Sequence, residues 1–332
     1  MILTGISTTG TPHIGNYVGA IRPAIEASRH ASARCFYFLA DYHALVKCHD
    51  PEILRRSTLE VAATWLALGL DTSRSIFYRQ TDIPEIPELT WILTCLTAKG
   101  LMNRAHAYKA AVQENEARKA KDQDKGINMG LFCYPVLMAA DILMFKASKV
   151  PVGKDQTQHL EMARDIALRF NHMYGATFVP PEAVTNDSTA VLQGLDGRKM
   201  SKSYNNTIPL FVPEKRLRKL IMKIKTNSQG PEEPKDPTIC TLFQIYQAFA
   251  MPDEVEAMQT RYAQGIAWGE MKQLLFEYLN DLLKAPRSRY EELMQNPGHI
   301  ENILAEGAQK AREYSRPFLA RIRQAIGVQA VG

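Results

Sequence analysis

The chain is 332 residues long, 45% hydrophobic and 23% charged, with 40 Lys and Arg against 35 Asp and Glu for a formal charge of +5. That length and composition allow two buried cores and exclude a disordered, collagen-like or disulfide-scaffold protein, while the mild basicity suits an anionic partner without requiring one. Charges or prolines interrupt every apolar run before the roughly 18 residues of a membrane span, the N-terminus has no basic region leading into a long apolar stretch, and Cys35, Cys48, Cys95, Cys133 and Cys240 include no Cys-x-x-Cys pair. The expectation is a cytoplasmic enzyme without an export signal, its thiols free and buried, with no membrane partner.

Taken in chain order, short apolar runs at 2–6, 35–40, 75–79 and 149–152 predict strands, and helix-period segments over 17–30, 51–69, 85–100 and 155–173 lie between or after them. Asp50 before Pro51 has the form of an N-cap followed by a first-turn proline. Strand and helix alternate from the first residues, which predicts a Rossmann-like, doubly wound parallel α/β sheet. The polar stretch 114–128 predicts a mobile loop or frayed helix. From about residue 213 strand-like runs thin out, and 213–226, 238–250, 253–262, 268–284, 288–295 and 299–326 read as helices. The expected division is a sheet domain over 1–212 and an all-helical domain over 213–332. Within the first of these helices Leu217, Leu220, Ile221 and Ile224 share one face, with Lys215, Lys219 and Lys223 beside them as a solvated stripe or an RNA contact.

Two segments carry the chemistry. The first strand runs through Gly5 and Gly10 into His13-Ile14-Gly15-Asn16 and then into a helix. Glycines allow close backbone approach, and a helix start directs amides toward phosphate, so this turn suits a nucleotide or is a structural glycine turn. Lys199-Met200-Ser201-Lys202-Ser203 is more specific, since a given pentapeptide occurs by chance in on the order of one such chain in ten thousand. Its two ammonium groups and two hydroxyls can grip a triphosphate.

Together these segments resemble the paired signature motifs of class I aminoacyl-tRNA synthetases, in the same order and near the two ends of a catalytic domain. Asn16, in place of the usual second histidine, is similar to the tryptophanyl members. So are 38–44 (Phe-Leu-Ala-Asp-Tyr-His-Ala), 134–143 (Tyr-Pro-Val-Leu-Met-Ala-Ala-Asp-Ile-Leu) and 151–159 (Pro-Val-Gly-Lys-Asp-Gln-Thr-Gln-His), and the resemblance is strong to about residue 226. It implies ATP-dependent ligation of L-tryptophan to tRNA(Trp), with ATP and Mg²⁺ as cofactors, the metal held mainly by the ATP phosphates, and no protein metal site. His13, Asn16, Lys199 and Lys202 would then be catalytic. Gly15, Gly153, Asp155, Met200, Ser201, Ser203 and Lys109 would hold ATP. Ser7, His43, Tyr134, Met138, Asp141 and Gln156 would hold tryptophan, Asp141 receiving the indole N–H. The resemblance further implies a homodimer whose helical domain reads the anticodon.

The residues themselves leave narrower readings open. Pro135 reads as a helix opener with Met138 and Asp141 on one face and Tyr134 at its entrance, a set that suits an indole but would also suit a core helix. Asp155 with Gln158 has capping-pair spacing, and His159 reads as structural. The chain departs from many bacterial relatives in having Ser7-Thr8 where they have Gln-Pro, and its 101–130 region is longer than in compact relatives. A tyrosine–tRNA ligase and a catalytically silent RNA-binding paralogue are the alternatives.

Overall fold

The computed structural model describes residues 1–30, 33–153, 156–185 and 191–328. Its centre is β2 (Cys35–Ala40), buried along its whole length. Period-2 alternation explains how one strand serves two layers: Phe36, Phe38 and Ala40 enter one hydrophobic core, while Cys35, Tyr37 and Leu39 enter another. On one side β2 pairs with β1 (Ile2–Ser7) and on the other with β3 (Ser75–Arg79), both in parallel. The chain then crosses back to place β4 (Lys149–Val152) beside β1 and β5 (Glu182–Thr185) beyond it, giving the order β3-β2-β1-β4-β5 with all pairs parallel. This reversal between β1 and β4 opens a crevice at their C-terminal ends, where ligands of such sheets bind.

The connecting segments are helices α1 (Ile14–Asn16), α2 (Arg22–His30), α3 (Asp41–Ala44), α4 (Pro51–Ala67), α5 (Glu85–Leu96), α6 (Lys99–Met102), α7 (His106–Ala117), α8 (Met129–Met144) and α9 (Thr157–Tyr174). Asp50 caps α4, accepting hydrogen bonds from the Glu52 and Ile53 amides, with Pro51 in the first turn as the sequence predicts. Residues 17–21 form a π-helical turn between α1 and α2. The 114–128 stretch divides: α7 continues to Ala117, and the turns after it are tied by the Asn115 amide donating to the carbonyls of Gln123 and Lys125. Pro135 does not open α8. It lies inside the helix, which begins at Met129 under an Asn128 cap, so Tyr134 is an interior residue as well. The strand β5 is absent from the predicted set because Glu-Ala-Val-Thr carries a single large apolar residue, Val184, whereas the equally short β4 carries two, Val150 and Val152. Of the cysteines only Cys35 is buried; Cys95 is exposed and the other three lie between.

Beyond the sheet come α10 (Glu214–Met222), α11 (Thr241–Phe249), α12 (Pro252–Gln264), α13 (Trp268–Gln295) and α14 (Pro297–Ile326). Leu217, Ile221 and Ile224 join residues of α11 to α13 in a third core, which also takes in Ile14, Val18 and Met200 from the two signature segments. The predicted break between 268–284 and 288–295 does not occur: α13 runs through Pro286, with Leu279, Leu283 and Arg287 buried around it. The missing proline amide costs one backbone bond, to the carbonyl of the exposed Leu282. No helix among the described residues is long and apolar enough to cross a membrane.

The final helix returns to the sheet. Ile300 and Leu304 enter the core on one face, while Ala308, Ala311, Phe318, Leu319 and Ile322 enter the core on the other, so α14 wraps the β3 edge. Arg312 and Ser315 donate to the buried Glu85 carboxylate, and Arg323 pairs with Glu88, fastening α14 to α5. At the crossing a Cβ on Gly307 would fall 1.7 Å from the Phe77 carbonyl oxygen. Gly307→Ala should therefore destabilise the protein by about 3 kcal/mol or more, at the upper end of overpacking costs. Denaturant unfolding measures this, and a loss below about 1 kcal/mol would mean that α14 slides freely on β3.

Candidate active site

The first signature segment is a reciprocal cap at the mouth of the crevice. His13 is extended and buried, its Nδ1 accepting from the Asn16 amide at 3.3 Å while its own amide donates to Asn16 Oδ1 at 3.1 Å. Because Nδ1 is engaged as an acceptor, the neutral ring carries its proton on Nε2, which makes that atom a donor. Gly15 is required by space, for a Cβ there would stand 3.0 Å from His13 Nδ1 and 3.6 Å from the Met200 sulfur. Gly10 turns the preceding loop with φ +82, its amide donating to Ser57 Oγ, and Thr11 donates to Glu60; both partners are buried residues of α4.

The second segment is brought onto the first by backbone pairing. Ile14 N donates to the Ile208 carbonyl and Leu210 N to the Pro12 carbonyl, with His13 and Pro209 bridged between them. Met200 is buried against Ile14 in the third core, whereas Lys199, Lys202 and Ser203 are exposed. Lys202 Nζ reaches across 193 positions of sequence to donate to the carbonyls of Thr9 at 2.6 Å and Gly10 at 2.8 Å. The Ser201 and Ser203 hydroxyls lie 2.8 Å apart.

Electrostatics divides the labour between the two segments. Burial, reinforced by the Lys202 ammonium, pushes the His13 imidazole down to about 4, so it is neutral at physiological pH. Although Lys202 is exposed as a residue, crowding of its ammonium beneath the turn lowers it to about 8, against an opposing pull from Glu60. Lys202 is therefore charged below about pH 8 and loses its charge above. The ratio kcat/KM for ATP, which reports the free enzyme, should fall as pH rises through about 8, while kcat falls at higher pH because bound phosphate favours the ammonium. A flat kcat/KM profile from pH 7 to 9.5 would remove Lys202 from the phosphate site.

A second cluster stands on the C-terminal ends of β2 and β3. Asp141 of α8 is buried, with the Gln80 amide donating to Oδ1 at 2.8 Å and Oδ2 at 2.9 Å and His43 Nε2 lying 2.9 Å from Oδ2. Burial raises the Asp141 carboxyl above the usual carboxylate range, and the His43 and Gln80 contacts oppose it. The His43 and Tyr134 rings meet edge to face, the Tyr134 hydroxyl lies 2.8 Å from His159 Nε2, and His159 Nδ1 lies 3.0 Å from Gln156 Oε1. An aromatic wall thus leads from a carboxylate to an amide at the start of α9.

With both clusters described, comparison with known proteins gives them a context. A family model for class I tRNA synthetases (W and Y) matches residues 1–284. The tryptophan--tRNA ligase of Pseudomonas aeruginosa is 59% identical over 99% of this chain and 74% of its own length, and that of Neisseria meningitidis 56% over 99% and 98%. The chain belongs to the tryptophan branch of the class I tRNA synthetases. A crystal structure of tryptophanyl-tRNA synthetase from Campylobacter jejuni, complexed with ADP and tryptophan, superposes with a TM-score of 0.89 at 43% identity, covering 98% of this chain and 99% of that one.

Within this synthetase the predicted residues fall into three sets. His13, Gly15, Asn16, Met200 and Lys202 meet at the paired loops. His43, Tyr134, Asp141 and Gln156 form the second cluster, and Met138 packs at the margin of the core beside it. Ser7 ends β1 with its hydroxyl 2.9 Å from Thr9 Oγ1, and Gly153 follows β4, its carbonyl accepting from the Gln156 amide, so these two flank the crevice. Lys109 is exposed on α7 and takes part in neither cluster. Asp155, expected both as a helix cap and as an ATP ligand, lies outside the described residues. Among those residues no group of three His, Cys, Asp or Glu could hold a metal ion. Gln80 and Asn206 are absent from the residues that the sequence singles out. Gln80 had a usable signal, a polar residue immediately after a strand at the ligand-binding end of the sheet.

Proposed function

We propose that this synthetase activates L-tryptophan with ATP and transfers it to tRNA(Trp) using the residues assembled above. The tryptophan carboxylate attacks the α-phosphate, forming a carboxyl–phosphate anhydride as the bond to the β-phosphate breaks and pyrophosphate leaves. A terminal ribose hydroxyl of the tRNA then attacks the carbonyl carbon, and AMP departs. The attacking carboxylate is already ionised, so the work lies in positioning and in offsetting migrating negative charge. His13 Nε2–H, Asn16, Lys199 and Lys202 supply donors and positive charge for this, with Gly15, Met200, Ser201, Ser203 and Gly153 shaping the nucleotide site. Mg²⁺ enters with the nucleotide and offsets charge on its phosphates. Asp141 accepts the indole N–H; His43, Tyr134, Met138 and Gln156 line the amino acid site, with Ser7 at its rim.

The observation that carries this reading is the contact of Lys202 with the carbonyls of Thr9 and Gly10, which joins the basic second loop to the uncharged first one at the switch point of the sheet. We further propose that the helices from 213 to 332 face the anticodon, that two copies of the chain cooperate in binding one tRNA, and that the enzyme works in the cytoplasm. Pyrophosphate exchange into ATP tests the core of the proposal. Exchange that depends on tryptophan is expected; dependence on tyrosine would move the enzyme to the tyrosine branch, and none with either would make it a silent RNA-binding paralogue.

A further inference from the structure

We infer that Asn206 is a positioning residue for adenylate formation, an internal brace that sets the spacing and direction of Lys199 and Lys202; this rests on the ATP-site assignment above. Residues 192–200 form a tight hairpin, with Gln193 bridged to Lys199, Met200 N donating to the Leu192 carbonyl at 2.8 Å and Gly194 N to the Arg198 carbonyl at 2.7 Å. The Asn206 side chain enters this hairpin from the far end of the loop and is only 2% exposed. Its Oδ1 accepts from the Ser201 amide at 2.8 Å. Its Nδ2 donates to the Lys199 carbonyl at 3.1 Å and to Asp196 Oδ1 at 2.7 Å. One planar amide thereby fixes a carbonyl on one side of Met200 and an amide on the other. Its backbone carbonyl also accepts from Leu195 N at 2.9 Å, and Asn205 before it takes the left-handed conformation that closes the loop.

Two neighbours fit a brace rather than ordinary loop packing. Gly194 leaves the space that Asn206 fills, since a Cβ there would stand 2.4 Å from the amide carbon. Asp196, held by Asn206 and by the Arg198 guanidinium at 2.6 Å, is kept well below the usual carboxylate range, at about 2. Its negative charge is thereby occupied within the hairpin instead of competing with phosphate for the two lysines. Losing the Asn206 amide would leave this carboxylate to Arg198 alone and free the loop about Met200.

The test is pyrophosphate exchange with the full-length protein, alongside tryptophan binding by equilibrium dialysis. Asn206→Ala should lower the exchange kcat by about 100-fold, the scale of an ångström misplacement, with the tryptophan Kd held within about twofold. Gly194→Ala should reproduce the same split by expelling the amide. The exchange Asn206→Asp with Asp196→Asn reverses the donor and acceptor roles across that contact, so it should recover part of the activity lost in Asn206→Asp alone. An unchanged kcat, a parallel loss of tryptophan binding, or no recovery in the double variant would each overturn the positioning role. Absence of tryptophan-dependent exchange in the unmodified protein would instead overturn the activity on which it rests.

Discussion

Lys202→Ala should slow tryptophan-dependent exchange by about 10² to 10³-fold, the cost of removing one charged donor from a transition state, with the tryptophan Kd unchanged within about twofold. The reason is geometric. Its ammonium rests on the Thr9 and Gly10 carbonyls at the edge of the crevice, and a triphosphate is a stronger acceptor than a pair of peptide oxygens. The α4 side chains beneath it, Ser57 and Glu60, hold the turn through Gly10 and Thr11, so the resting place is defined without any contact to Asp141 or Gln80. Lys202→Arg should rescue only in part, because the wider, planar guanidinium spreads its charge and cannot occupy the place of a compact ammonium under the Thr9 and Gly10 carbonyls. Equal losses in exchange rate and tryptophan affinity would place Lys202 outside the phosphate site.

Asp141→Asn should weaken tryptophan binding by about 10 to 100-fold, the range expected for a hydrogen bond to a charged acceptor. Of the roughly four acceptor positions of a carboxylate, Gln80 and His43 use those facing them, leaving room for one more donor. An asparagine of the same shape would turn an N–H₂ group toward the Gln80 amide or toward the indole, and either arrangement opposes two donors. Dialysis with tryptophan measures the loss. A destabilised protein whose tryptophan Kd is unchanged would show that Asp141 serves the fold alone.

The sheet was legible because its strands are short, apolar and bounded by turns, and the first four are found where their patterns fall. β5 was not, since its one large apolar residue, Val184, carries too little pattern, where β4 of the same length has two valines. The paired loops were legible as residue types, yet nothing in the chain announces that Asn206 points back into the hairpin. Its role comes from a fold in three dimensions; Gln80 carries a signal in its place after β3, yet it too meets its partners, the Tyr42 amide and the Asp141 carboxylate, only through the fold. Both prolines mislead because local propensity puts a helix boundary at proline: Pro286 reads as a break although buried residues on both sides hold α13 through it, and Pro135 reads as an opener although the Asn128 cap starts α8 earlier.

The wrapping of α14 around the β3 edge also governs how the protein is made. Synthesis delivers the five strands long before residues 297–326, so a nascent sheet has both cores incomplete and β3 open to pairing with another chain. The β3 edge reaches its protected state only when the thirty residues of α14 dock, with Gly307 seated against Phe77. Chains halted before that helix emerges are therefore the forms most exposed to strand-to-strand association and to proteolysis.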